Sequence, residues 1–292
     1  MKTIKRSPPM NHLIPPLISM LVLALLPGCL MIHPTKSTQA SSVVQFLYPS
    51  QQPVVLPSVP TLNLPLRVGI AFAPPGTGCG PQRLSETEKA RLLRKTSADF
   101  RALPYVSGIE IIPTTYLRPG GSFDNLDQLR SMLAIDVIVL LAYDQTQVTT
   151  DTPYTLSYWT IVGAYMVPAQ KNDTATLMEA VVYDIASRRL LFRASGTSLV
   201  KHHSTLVGME KNLMEDSRQS FAQAAEELTV NLKTELNDFK VRIKETPEEI
   251  RVTTRPGYSG LGALDGKDVA LMIFFVFLAK AAHLGRRATC QQ

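Results

Sequence analysis

Val137-Ile-Val-Leu-Leu-Ala-Tyr143 is an unbroken run of seven apolar or aromatic residues, opened by Asp136. It has no polar side, so it reads as a strand buried on both faces. Such a strand needs a layer on each face, and the flanking segments must supply both. Upstream, Arg67-Val-Gly-Ile-Ala-Phe-Ala-Pro74 reads as a second buried strand. Ser85-Glu-Thr-Glu88 is a capping box that opens a helix with Leu92, Leu93, Thr96, Phe100 and Leu103 inward. Lys89, Arg91, Arg94 and Lys95 form its solvated face. Ile109-Glu-Ile-Ile112 is a third, short strand. The loop Tyr116-Leu-Arg-Pro-Gly-Gly121 leads to a helix capped at Asp124, with Leu126, Leu129 and Leu133 inward. Strand, helix, strand, helix, strand with short links implies right-handed parallel crossovers.

Downstream the pattern changes. Tyr154 to Val167, Thr176 to Asp184 and Arg189 to Val200 are β-rich and lack intervening helices. Asp184-Ile-Ala-Ser187 between the last two marks an antiparallel hairpin. From Met209 to Glu245 the apolar residues return to helical spacing, at Leu213, Phe221, Ala225, Leu228, Leu232, Leu236, Phe239 and Ile243. That helix stops before Pro247. The fold class is therefore α/β. A mixed sheet grows from a β-α-β-α-β parallel unit, continues as an antiparallel β-meander and carries a long C-terminal helix.

The chain has 292 residues, 45% of them hydrophobic and 18% charged, which excludes wholesale disorder. Its formal net charge is +6, and nearly all of it comes from the ends. Lys2, Lys5 and Arg6 precede the first apolar run, and Lys267, Lys280, Arg286 and Arg287 lie near the end, against Asp265 and Asp268. Between Cys29 and Gly260 there remain 23 basic and 22 acidic residues, so no nucleic-acid footprint is expected.

Motifs for chemistry are sparse. Gly76-Thr-Gly78-Cys-Gly80 sits where a phosphate cradle would, but it meets neither the Walker nor the dinucleotide pattern. His202 and His203 are adjacent on a strand, so their rings diverge, and no further ligand motif accompanies them; no metal is expected. Asp136 and Asp144 are about 26 Å apart along an extended strand, too far for a carboxylate pair. No nucleophile elbow is present. Cys79 is the only thiol of the middle segment and reads as inert. Catalytic residues, cofactors and enzymatic activity are therefore not expected.

The ends are more informative. Residues 1–28 carry three positive charges and then an apolar stretch from Leu13 to Leu26, which describes an export signal. Leu26-Pro27-Gly28-Cys29 resembles the bacterial lipobox. That resemblance implies acylation of the Cys29 thiol and cleavage after the small residue Gly28 by lipoprotein-processing enzymes. An uncleaved anchor helix is the competing reading. Leu30, where an Asp would be the inner-membrane retention signal, favours the outer membrane. Residues 29–66, rich in Ser, Thr, Gln and Pro, read as a semi-extended tether. The globular domain is then 67–250 and a glycine-containing linker 251–266, followed by a tail over 267–292. The linker holds Gly257, Ser259, Gly260, Gly262 and Ala263. Val269 to Ala279 is an uncharged run, and Arg286-Arg287 closes the tail on the cytoplasmic side. This resembles a tripartite sorting tail whose cutting enzyme is rhombosortase, an intramembrane serine protease. A plain C-terminal helix is the competing reading.

With both ends read, the chain resembles the rhombotarget lipoprotein family. Ile112-Pro-Thr-Thr-Tyr-Leu-Arg-Pro-Gly-Gly121, Tyr158-Trp-Thr-Ile-Val-Gly-Ala-Tyr165 and Tyr183-Asp-Ile-Ala-Ser-Arg-Arg-Leu-Leu-Phe-Arg193 are similar to segments of that family. The resemblance implies a non-enzymatic, lipid-anchored protein of the cell envelope whose tail the protease removes. Its partners would be membrane lipid through Cys29, the processing enzymes and the protease. The layout also resembles curli-pore and TolB amino-terminal domains. That likeness implies the alternative, an oligomeric assembly or secretion component, with a homo-oligomer as partner.

Overall fold

The computed structural model describes residues 34–50, 58–75, 84–154, 157, 160–256 and 258. Among them the elements run β1 (Thr35–Ala40), α1 (Val43–Leu47), β2 (Thr61–Leu64), β3 (Leu66–Phe72), α2 (Glu86–Ser97) and β4 (Val106–Ile111). Then follow α3 (Ser122–Leu133), β5 (Val137–Asp151), α4 (Ile161–Met166), β6 (Gln170–Asp184), β7 (Arg189–Ser204), α5 (Met209–Glu245) and β8 (Arg251–Thr254).

β5 is the axis. Its neighbours define a six-stranded mixed sheet in the order β4-β3-β5-β6-β7, with β1 also on β5. β3 runs parallel to both β4 and the first part of β5, from Val137 to Leu141. β1 takes over the same edge of β5, antiparallel, from Asp144 to Thr149. β5, β6 and β7 form a long antiparallel ribbon. β2 and β8 pair in parallel as a separate two-stranded sheet.

Both faces of β5 are covered. Val137, Val139, Leu141 and Tyr143 enter the core beneath α2 and α5. Ile138, Leu140 and Ala142 enter a second core with α1 and α3. This is the mixed α/β sheet with a long C-terminal helix. The Ser85–Glu88 capping box forms in both directions, with the Glu88 amide on Ser85 Oγ at 3.3 Å and the Ser85 amide on Glu88 Oε2 at 3.0 Å. α5 lies close against β7 at Gly196, where a Cβ would come within 2.3 Å of Ala224 O and Leu228 N.

Four expectations are corrected. Residues 35–47 and 61–64 of the tether are folded, and the domain also extends past residue 250 through β8. β1 is held by backbone pairing and by Gln39, whose buried amide donates to Gln145 Oε1 at 2.7 Å, so no apolar alternation announces it. α1 buries Val43, Phe46 and Leu47 and is capped by Ser42. The strand expected over Tyr154 to Val167 is absent from its described residues: β5 and β6 meet at Asp151 and Gln170, and α4 lies between them. The β-rich composition there misleads, because the strand residues are instead the polar stretch from Asp144 to Asp151. Asp124 does not cap α3; Gly121 holds the cap position and Asp124 sits in the first turn. Lys89 is not solvated but buried, with its ammonium on Glu86 Oε1 at 2.8 Å.

Candidate functional site

Leu26, Pro27, Gly28, Cys29, Gly257, Ser259, Gly260, Gly262, Ala263, Arg286 and Arg287 lie outside the described residues, as do Cys79 and Cys290. The described chain nevertheless fixes where each end leaves the fold. Thr35 pairs with Thr149, near the far tip of β5. Thr35 is six residues after Cys29, a reach of about 20 Å at full extension. The other end leaves from the opposite side. The Arg255 amide donates to Leu64 O at 2.8 Å, and its guanidinium reaches Asp136 Oδ2 at 2.6 Å, just before Val137. Thirteen positions separate Asp136 from Thr149, about 43 Å along a strand.

The tip beside Thr35 is apolar on its outside. The β5–β6 connection is closed at its base by Thr152, whose amide and hydroxyl both donate to Ala169 O, at 2.8 and 2.7 Å. Beyond that closure Tyr154, Val162, Tyr165 and Met166 stand exposed, Met166 by 74%. Leu206 and Val207 in the β7–α5 turn are exposed at the same end, because Ser204 pairs with Gln170. Lys36, Lys201 and Lys211 are exposed on β1, β7 and the first turn of α5, which all reach this tip. Glu210 adjoins Lys211 in sequence, and Asp173 lies opposite Lys201 in the register.

Beneath the tip lies a polar layer between the ribbon and the first half of α5. Gln145 accepts from Ser217 Oγ at 2.6 Å and donates to Thr176 Oγ1 at 2.8 Å. Thr176 and Ser220 share a hydroxyl bond of 2.6 Å, and Ser198 and Ser220 another of 2.5 Å. Gln147 donates to Thr174 Oγ1 and Leu213 O, and Asn172 donates to Ser204 Oγ. Buried networks of this kind hold strand and helix in one arrangement. Asp216 closes the layer. Burial pushes its carboxyl above the ordinary carboxylate range, against the pull of the His202 ring 3.1 Å away.

The other sequence candidates are dispersed. His202 meets Asp216 while His203 lies opposite Lys171 in the register. Asp136 is engaged by Arg67 and Arg255, and Asp144 lies opposite Ala40 and Leu177. Among the described residues no group of three or more His, Cys, Asp or Glu is placed to hold a metal. No described helix is long and apolar enough to cross a membrane. The polar layer went unread in the sequence because its partners are far apart: Gln39 and Gln145 are 106 residues apart. No signal short of the pairing could have joined them.

No protein-family model matches the chain, and no curated protein matches it. Among solved structures it is similar to a point variant of the PelC dodecamer from Paraburkholderia phytofirmans. The identity is 10% and the TM-score 0.24, over 65% of this chain and 99% of that one. A second crystal form of the PelC dodecamer matches at 10% identity and TM-score 0.22, over 67% and 99%.

Proposed function

We propose that this is a cell-envelope lipoprotein, anchored through the acylated Cys29 and delivered as a folded body to the outer membrane. Its C-terminal tail is removed between Gly257 and Ala263 by a rhombosortase-type protease while Arg286 and Arg287 hold the end in the cytoplasm. The observation that carries the reading is the pairing of Thr35 with Thr149, six residues after Cys29. It leaves a short leash, so the acyl chains and the tip of the ribbon share one membrane surface. The exposed Tyr154, Tyr165 and Met166 suit the amphipathic boundary of that surface, where aromatic residues gather. The lysines around them suit anionic headgroups. More than one acyl chain is needed for stable anchoring, and an acylated amino-terminal cysteine supplies it.

Labelled palmitate should enter the wild-type protein and not Cys29→Ser; equal labelling contradicts the anchoring. Loss of the protease should leave a species that keeps its tail, and an unchanged mass contradicts the processing.

A second reading, an oligomeric assembly component, is favoured by one feature. Among the described residues nothing covers the face of β6 and β7 away from α5 at Leu177 and Leu199, both exposed and on neighbouring register pairs. Sedimentation of the purified protein separates the readings, since a strict monomer contradicts the second one.

A further inference from the structure

The larger core contains a cavity of about 410 Å³. It lies at the Asp136 end of the sheet, remote from the anchored tip. Val68 and Ile109 of the sheet line one wall, Leu236 and Ile243 of α5 the other, with Phe100 and Val252 at the sides. Val68, Ile109, Phe100, Leu236 and Ile243 are only partly buried, so the chamber opens to solvent. Packed interiors rarely leave voids larger than a water molecule. A chamber of this size falls in the range of roughly 300–1,000 Å³ that small-molecule sites occupy.

The polar groups of the lining are few and placed together. Among the described residues only the side chains of Thr96, Ser97, Tyr105, Lys240 and Lys244 contribute any. Ser97 Oγ donates to Arg94 O. Thr96 Oγ1 and Tyr105 Oη are buried without a partner among the described residues. The Lys240 ammonium stands 4.9 Å over the Tyr105 ring and donates to Asn237 Oδ1 at 3.2 Å. Lys244 follows one turn later and is exposed, and neither lysine makes an ion pair among the described residues. Two like charges one turn apart repel. Cations in the last turns of a helix suit its dipole, but that explains neither the apolar chamber nor the orphaned Tyr105 hydroxyl.

We propose that the cavity binds one acyl chain of an anionic amphiphile. The chain fills the apolar interior, and the headgroup sits between Lys240 and Lys244 with the Tyr105 hydroxyl as a third donor. A free fatty acid and a lysophospholipid share this chemistry.

The test uses the full chain in its membrane and a diazirine-bearing palmitate. After irradiation, peptide mapping should place the label on segments carrying Phe100, Leu236 or Ile243. Leu236→Trp, which fills the chamber, should abolish that label. Unlabelled palmitate or lysophosphatidylglycerol should compete, and the stronger of the two identifies the source. Monopalmitoylglycerol, which is neutral, should compete more weakly. Lys240→Glu with Lys244→Glu reverses the charge at the mouth of the chamber and alters none of its apolar lining residues. It should weaken competition by the anionic compounds about tenfold, as expected for two partly exposed ion pairs, and leave the neutral one unchanged. Label confined to other segments, or label that persists in Leu236→Trp, overturns the proposal. So does equal competition by the neutral and anionic compounds.

Discussion

Lys89 shows how position can overrule charge. It precedes Leu92, Leu93 and Thr96 by three, four and seven residues, which puts it on the buried face of α2 and away from Arg91, Arg94 and Lys95, and it is only 2% exposed. Its ammonium rests on Glu86 one turn earlier, and Glu86 also accepts from the Thr114 amide. Burial acts to raise the Glu86 pKa, but Lys89 and Thr114 outweigh it and hold the carboxyl below its ordinary value of 4.5. A carboxyl lowered in the folded state stabilises the protein above its unfolded value, and that contribution is lost as pH falls through the folded value. Glu86→Gln leaves the buried ammonium without its counter-charge. It should cost about 1 kcal/mol near neutral pH, discounted because Glu86 is half exposed, and less in acid. Lys89→Met should lie within about 0.5 kcal/mol of wild type, because an apolar chain of similar volume needs no partner. Thermal melts at pH 7 and pH 3.5 check both. A Lys89→Met that is more damaging than Glu86→Gln contradicts the pairing.

Among the elements, α5 does two jobs. It covers the ribbon, closely enough to require Gly196, and it also blocks the free edge of β7. Glu227 accepts from the Thr197 amide at 2.8 Å, Asn231 donates to Ser195 O at 2.7 Å, and Arg242 donates to Leu191 O at 2.5 Å. An edge strand of this length would otherwise present unpaired groups to another chain. Glu227→Ala with Asn231→Ala should therefore promote concentration-dependent association with little loss of helix. Light scattering and circular dichroism check this, and a variant that stays dispersed at high concentration contradicts the capping role. The same elements mark how much could be read from the sequence. β3, α2, β4, α3, the start of β5 and α5 were legible because their apolar residues follow the period of their own structure. β1 and the outer half of β5 were not, because their buried residues are glutamines and threonines satisfied across long sequence distances. α1 was too short to show a period, and aromatic composition disguised the α4 connection as a strand. That the described chain starts and finishes at opposite ends of β5, at Thr35 and Arg255, could not be read from the sequence, since it follows from the register of β1 and the ion pair of Arg255.

At the scale of the whole molecule, the proposed anchoring at Cys29 makes orientation testable. On that proposal the protein presents the α4 tip to the lipid and holds the end of α5 away from it. Trp159 is the single tryptophan, so Trp159→Phe provides a blank background. A tryptophan introduced by Tyr165→Trp should be quenched by brominated phosphatidylcholine in vesicles carrying the lipidated protein. One introduced by Val241→Trp, exposed near the far end of α5, should not. Equal quenching at both positions contradicts the orientation while leaving the lipid attachment untouched. The central claim concerns both ends at once, and intact mass spectrometry of the mature protein tests it most directly. The account predicts a chain that starts at an acylated Cys29 and finishes between Gly257 and Ala263. An unmodified chain running from Met1 to Gln292 would contradict it.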